Sequence, residues 1–144
     1  MNRFHHYLLK TYNLHKKMNL SYFHSLGLSQ GQPKVLEILL FRDGCSQKEL
    51  ADACELQPAT ISSLLKKMEK DNLIKRIPET RKDGTHITRI FLTQHGKALA
   101  DKVLQCVSSV ENQCFSSFTE EEKETFLASM KQIYDNLKNQ NSEW

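Results

Sequence analysis

The residues best equipped for chemistry lie in "LQPATISSLLKKME", residues 56–69, where small polar and basic side chains alternate with aliphatic ones. Ile61, Leu64, Leu65 and Met68 recur at i, i+3, i+4 and i+7, one apolar face of a helix, and this settles which side is buried. Pro58 stands at the first helical position, where a proline is welcome. The side left to solvent carries Gln57, Ala59, Thr60, Ser62, Ser63, Lys66 and Lys67. Small side chains let a backbone come close to the edges of nucleic-acid bases. Gln pairs with adenine, Ser and Thr donate or accept, and an Ala or Thr methyl meets the methyl of thymine. Lys66 and Lys67, a turn further on, suit phosphates, which position a protein without reading sequence. Any amphipathic surface helix turns polar residues outward, so the reading depends on what surrounds this one.

Other chemistries find no footing. No Ser-His-Asp order, paired carboxylates, Gly-rich phosphate loop or nucleophile elbow can be made from these residues, so an enzyme is not expected. The histidines at 5, 6, 15, 24, 86 and 95 are scattered. Cys45, Cys54, Cys106 and Cys114 form no Cys-x-x-Cys pair and stand near no His-x-x-x-His, so neither metal nor cofactor is expected. Cys106 and Cys114, on one helix, would lie about 12 Å apart. That exceeds the limit of roughly 7 Å between α-carbons of a disulfide. The thiols are expected to be buried and reduced, and a redox sensor is the alternative.

The elements that must position the solvent face follow from periodicity and caps. Phe4, Leu8, Leu14, Met18 and Tyr22 suggest a first helix to about His24, and Val35, Leu36, Leu39 and Leu40 a second that Gly44 ends. "SQKELADAC" is a short helix opened by a capping box, Ser46 with Glu49, with Leu50 and Ala51 facing inward. "ELQ" is a tight turn into the helix that begins at Pro58. "LIKRI" and "HITRIFL" are β-rich, and "PETRKDGT" joins them with an Asp-Gly signal, giving a hairpin with a basic tip. Thr93 caps a long helix to about Phe118 whose Leu99, Val103, Cys106, Val110 and Cys114 step by threes and fours. A second capping box, Thr119 with Glu122, opens a last helix carrying Phe126, Leu127, Met130, Ile133 and Leu137.

Two helices joined by a tight turn, the second exposing small polar residues at its N-terminal end, describe a helix-turn-helix whose second helix enters the major groove. The hairpin tip would carry Arg81 and Lys82 to a neighbouring minor groove or to the backbone. Charge agrees. Residues 57–97 hold nine Lys and Arg against four acids, a balance of +5, whereas residues 98–144 balance at −4, within a net charge of +3. A polyanionic partner is thus expected for one segment only. Hydrophobic residues make up 39% and charged residues 26% of 144, enough for one packed domain. No apolar run approaches the roughly 18 residues of a membrane span, and the N-terminus lacks the pattern of a secretory signal, so no membrane partner and a cytoplasmic location are expected.

"GLSQGQPKVLEIL", "CSQKELADACELQPATISSLLKKMEKDNLIKR" and "ITRIFLTQHGKAL" resemble the winged helix-turn-helix core of the MarR family of bacterial transcription regulators. The resemblance covers almost the whole chain. It implies a mostly α fold with a small β-hairpin wing, as a single domain 1–144. Residues 28–92 would form the DNA-binding core, and 1–27 and 93–144 the dimerisation helices. It also implies a homodimer on a pseudo-palindromic double-stranded operator, often a repressor released by a small-molecule effector or by cysteine oxidation. The family's ligand sites lie between the dimer helices and the winged unit. Its peroxide sensors often carry a Cys near the N-terminal helix, and here no Cys precedes residue 45.

One departure concerns the wing. The family usually places an acidic residue, any residue and then Arg at a fixed distance before the "LT", and here Gly84 and His86 occupy those places. Arg81 or Lys82 would make the groove contact instead, and Arg89, within the second strand, is assigned none. Dimerisation has support of its own, since the terminal helices have little else to bury their apolar stripes against. The rival is a winged helix that binds protein, which would be expected to show an apolar rather than a basic recognition face.

Overall fold

Helix starts are fixed by short side chains that take up otherwise unpaired backbone N–H groups. The computed structural model describes residues 2–141 and contains α1 (Arg3–Ser25), α2 (Gln32–Phe41), α3 (Gln47–Cys54), α4 (Pro58–Lys70), β1 (Ile74–Thr80), β2 (His86–Leu92), α5 (Gln94–Cys114) and α6 (Glu120–Asn141). Before α3, Ser46 Oγ accepts from Glu49 N at 3.1 Å while Ser46 N donates to the Glu49 carboxylate at 2.9 Å. Before α6, Thr119 and Glu122 repeat the exchange at 3.1 and 3.0 Å. These backbone donors hold both glutamates below the usual carboxylate range. Glu55, in the left-handed region at φ 54°, ends α3 and turns the chain into α4.

The chain divides into a first compact unit reaching Val110 and a second beginning at Glu111, with α5 running across the division. In the first unit the core is Leu36 and Leu39 of α2, Leu50 of α3, Ile61, Leu65 and Met68 of α4, and Ile74 and Ile90 of the hairpin, all fully buried. Each such side chain contributes roughly 1.5–3 kcal/mol by leaving water. Leu64, expected on the buried face of α4, is half-buried because it lies at the rim, over Gly31.

The strands pair antiparallel from Ile74↔Leu92 to Thr80↔His86. β1 therefore extends through Pro78, Glu79 and Thr80, which the sequence placed in the connection. Its outer edge is unpaired, so a proline costs no ladder bond there. β2 has a partner on its other side: Gly44 N donates to Ile90 O at 2.8 Å and Ile90 N to Cys45 O at 3.0 Å. Leu92 N donates to the Asp43 carboxylate at 2.8 Å. The wing is thus stitched to the loop between α2 and α3.

The end of α4 is joined to the start of α5 just as closely. Asn72 adopts φ 60°, and Thr93 Oγ1 donates to Asn72 O at 2.6 Å while accepting from Gly96 N at 2.9 Å. Thr93 N donates to Leu73 O at 3.1 Å. A Cβ on Gly96 would stand 1.9 Å from the Leu73 carbonyl oxygen, so only glycine fits.

In the second unit α5 ends at Cys114, four residues before the expected Phe118. Past that point the bonds shorten to those of a turn, Ser116 N donating to Gln113 O at 3.3 Å and Phe118 N to Phe115 O at 2.9 Å, and Phe115, Phe118 and Phe126 meet edge-to-face with centroids 5.2, 5.7 and 6.2 Å apart. The terminal helices leave much of their apolar surface open. α1 buries only Asn19 among its described residues and α6 buries none, while Phe4, Tyr7, Leu9 and Leu14, and Met130, Tyr134 and Leu137, stay exposed.

Replacing Gly96 by Ala should lower stability by about 3 kcal/mol or more, since the added methyl meets backbone that cannot step aside. A urea midpoint unchanged from that of the parent protein would show that the two segments separate at little cost.

Candidate nucleic-acid interface

The outward face of α4 is built by the inward one. With Ile61, Leu65 and Met68 fixed in the core, helical geometry turns Ala59, Thr60, Ser63, Lys66 and Lys67 to solvent, all of them exposed. Gln57, the residue before the first turn, is exposed as well, and its side chain makes no cap hydrogen bond. Ser62 differs, being half-buried on the flank of the face. Lys67 is drawn toward the segment before α2, where its Nζ donates to Ser29 Oγ at 3.3 Å. Nothing in the spacing of the two residues foretold that contact, since 38 residues separate them.

The wing tip is a tight turn. Arg81 N donates to Thr85 O at 2.8 Å and Gly84 N to Arg81 O at 2.9 Å, with Gly84 left-handed at φ 85°. The Asp83 carboxylate accepts from Thr85 Oγ1 at 2.6 Å and from Thr85 N at 3.0 Å, and these bonds hold it below the usual carboxylate range. Asp83 is therefore engaged in shaping the tip, while Arg81 and Lys82 face solvent. Gly84 and His86, at the places of the family's wing residues, have local roles: Gly84 makes the turn, and His86 Nδ1 stands 3.1 Å from Thr80 Oγ1.

Arg89 is occupied. It forms an ion pair with Glu79 on the neighbouring strand, and its Nη1 donates to Gly44 O at 3.1 Å. Arg76 likewise pairs with Glu69, at 3.0 Å. Two of the arginines in the basic segment thus hold the winged unit together, while Lys66, Lys67 and Lys70 on the helix and Arg81 and Lys82 on the tip are exposed. The register of the hairpin was the missing signal for Arg89, because Glu79 faces it diagonally once Ile77 is set opposite Arg89.

The thiols depart from expectation. Cys45 alone is buried; Cys54 and Cys106 are half-buried and Cys114 is exposed, the last two lying on parts of α5 that the core does not cover. Burial pushes the Cys45 thiol up, and the Cys54 thiol up to about 11. Both are poor thiolates at neutral pH. Among the described residues no His, Cys, Asp or Glu cluster could hold a metal ion, and no helix is long and apolar enough to cross a membrane. An apolar cavity of about 140 Å³ lies where Leu20 and Phe23 of α1 meet Leu28, Gly31 and Pro33 at the start of α2.

The model of the MarR family matches residues 28–81, from Leu28 to the wing-tip Arg81. YybA of Bacillus subtilis (strain 168), described as an uncharacterized HTH-type transcriptional regulator, is 27% identical over 115 residues, 80% of this chain and 75% of its own. The transcriptional regulator PA3341 has the same fold at a TM-score of 0.82, with 27% identity over 94% of this chain and 98% of its own. A Listeria monocytogenes regulator assigned to the MarR family, solved with 26mer DNA, aligns at a TM-score of 0.80 with 22% identity, covering 97% and 91% of the two chains.

Two outcomes are expected from this geometry. Replacing Asp83 by Ala should speed hydrogen exchange at the Thr85 amide at neutral pH without changing the core. In the parent protein that amide should stay protected down to acid pH: a lowered carboxylate value gives support present above the unfolded value and lost as pH falls through the folded one. Equal exchange in both proteins would remove Asp83 from the tip. Alkylation of the native protein at pH 8 should label Cys114 well before Cys54 and Cys45, read by peptide mass; early labelling of Cys54 would contradict its raised value.

Proposed function

We propose that the chain, whose residues 28–81 match the model of the MarR family and which is similar to an HTH-type transcriptional regulator, is a transcriptional regulator of that family rather than an enzyme, and that it binds double-stranded DNA as a homodimer and represses at a pseudo-palindromic operator. The observation that carries the DNA reading is the solvent face of α4: small, polar, backed by a rigid core, and flanked by a basic wing tip. Gln57, Ala59, Thr60, Ser62 and Ser63 are assigned to base edges in the major groove. Lys66 and Lys67 are assigned to phosphates, and Arg81 and Lys82 to the adjacent minor groove or backbone. The Listeria regulator solved with DNA supports this use of the fold.

The dimer reading rests on the uncovered apolar faces of α1 and α6. In this division of labour residues 28–92 bind DNA while 1–27 and 93–144 join two copies. Two-fold symmetry then spaces the recognition helices by about one turn of DNA, roughly 34 Å. Release of the operator by a small ligand is favoured over release by oxidation. The apolar cavity between the end of α1 and the start of α2 offers a ligand room, whereas the Cys45 and Cys54 thiols are raised and resist oxidation. Cys106 and Cys114 are the thiols that an oxidant would meet.

The test is titration of the purified protein onto duplex from upstream of its own gene at several salt concentrations. Eight phosphates neutralised per dimer, by Lys66, Lys67, Arg81 and Lys82 of each copy, correspond to a log–log salt slope of about −7. Ser63→Glu should abolish specific binding by placing a carboxylate against the groove, and size-exclusion chromatography should return twice the mass of 16.7 kDa. Affinity indifferent to salt, or absence of DNA binding at low salt, would favour a protein partner instead. A monomer that still binds DNA specifically would overturn the symmetric reading alone.

A further inference from the structure

The base preference of the operator follows from what the reading turns of α4 contain and what they lack. Guanine is read chiefly by Arg or Lys reaching O6 and N7, and cytosine by a carboxylate accepting from N4. From Gln57 to Leu65 the chain has no charged residue of either sign. Lys66 comes only in the third turn, Lys67 is drawn back to Ser29 at 3.3 Å, and the first acid, Glu69, is paired with Arg76 at 3.0 Å. The side chains present suit the other base pair. Gln57 is exposed and its amide is not spent on capping, which leaves both its donor and its acceptor for adenine N7 and N6. Ala59 and Thr60, both exposed, present methyl groups of the kind that meet the thymine methyl. The hydroxyls of Thr60, Ser62 and Ser63 donate or accept and do not discriminate.

The wing points the same way from separate residues. Arg89 is held by Glu79 and Gly44, so the arginine left exposed on the hairpin is Arg81. The one carboxylate in its turn, Asp83, is engaged with Thr85. An exposed arginine on a narrow arm is attracted to the narrow, strongly negative minor groove of A-tracts.

We propose that the operator is A·T-rich at both contacts: A·T pairs lie under the first two turns of α4 in the major groove, and an A-tract lies where the wing tip enters the minor groove. This rests on the DNA-binding reading above and names the sequence class that the same surface takes.

Selection of sites by the full-length protein from a random duplex pool tests it. A·T pairs should dominate the half-sites and the flanks. Replacing thymine by uracil in the selected half-site removes only methyl groups and should weaken binding about fourfold for each methyl in contact. Gln57→Ala, at an exposed residue without a cap bond, should cost roughly five- to hundred-fold in discrimination at one adenine, with circular dichroism unchanged. Arg81→Ala should erase the flanking A-tract preference and leave the half-site preference. Selected half-sites rich in G·C, or a uracil duplex bound as tightly as the thymine duplex, would overturn the proposal while leaving DNA binding intact. A pool with no enrichment at low salt would overturn both.

Discussion

Everything in the winged unit hangs from the contact between Gly96 and the carbonyl of Leu73. At that point α4 has just ended, the wing is about to begin, and the long helix is starting. One hydroxyl, that of Thr93, bonds both the turn at Asn72 and the first turn of α5. Three elements therefore share one small polar junction inside an otherwise aliphatic core. Buried polar groups of this kind are favourable only when fully paired, and here the donors and acceptors match one to one. The orientation of α4 relative to the root of the wing is thus set by backbone contact rather than by adaptable side chains.

Charge in the unit is divided by the same economy of contacts. Arg89 and Glu79, Arg76 and Glu69, and Asp83 with Thr85 are consumed locally. Exposed ion pairs of this sort contribute little stability each, of order 0–1 kcal/mol, but they decide which cations stay available. Setting aside the two ion pairs leaves the segment's balance of +5 unchanged, carried by the exposed lysines of α4, by Lys75 and Lys97, and by Arg81 and Lys82 at the tip of the wing. The result on α4 is two uncharged turns followed by lysines, an arrangement that suits the proposed contact with DNA, in which phosphates set position while uncharged groups set specificity.

Much of this was legible in the sequence, for reasons that particular residues make plain. Ser46 with Glu49 and Thr119 with Glu122 announced helix starts because capping is a local interaction of fixed spacing. The stripe of Ile61, Leu65 and Met68 told inside from outside because helical period is local too. What stayed hidden depends on contacts distant in sequence. The Lys67–Ser29 bond, the stitching of Gly44 and Cys45 to Ile90, and the ion pair of Arg89 need the register and the tertiary fold before they can be seen. The end of α5 was misplaced because a helical stripe continues through Cys114, whereas the backbone bonds of residues 115–118 are those of a turn. The exposed thiols follow from the same limit, since a cysteine on an apolar stripe reads as buried until the neighbour it would pack against is known.

The long helix has a mechanical meaning as well. Its 21 residues make a rod of about 31 Å, pinned at one end by a glycine with no slack and a threonine bonded on both sides. A rod held this way behaves as a lever: displacement of its far end by about 3 Å corresponds to a tilt of roughly five degrees at the pin. The junction at Leu73 cannot absorb such a tilt by compressing, because there is no side chain there to give. The closeness of the start of α5 to the turn that ends α4 is thus set by one missing methyl group.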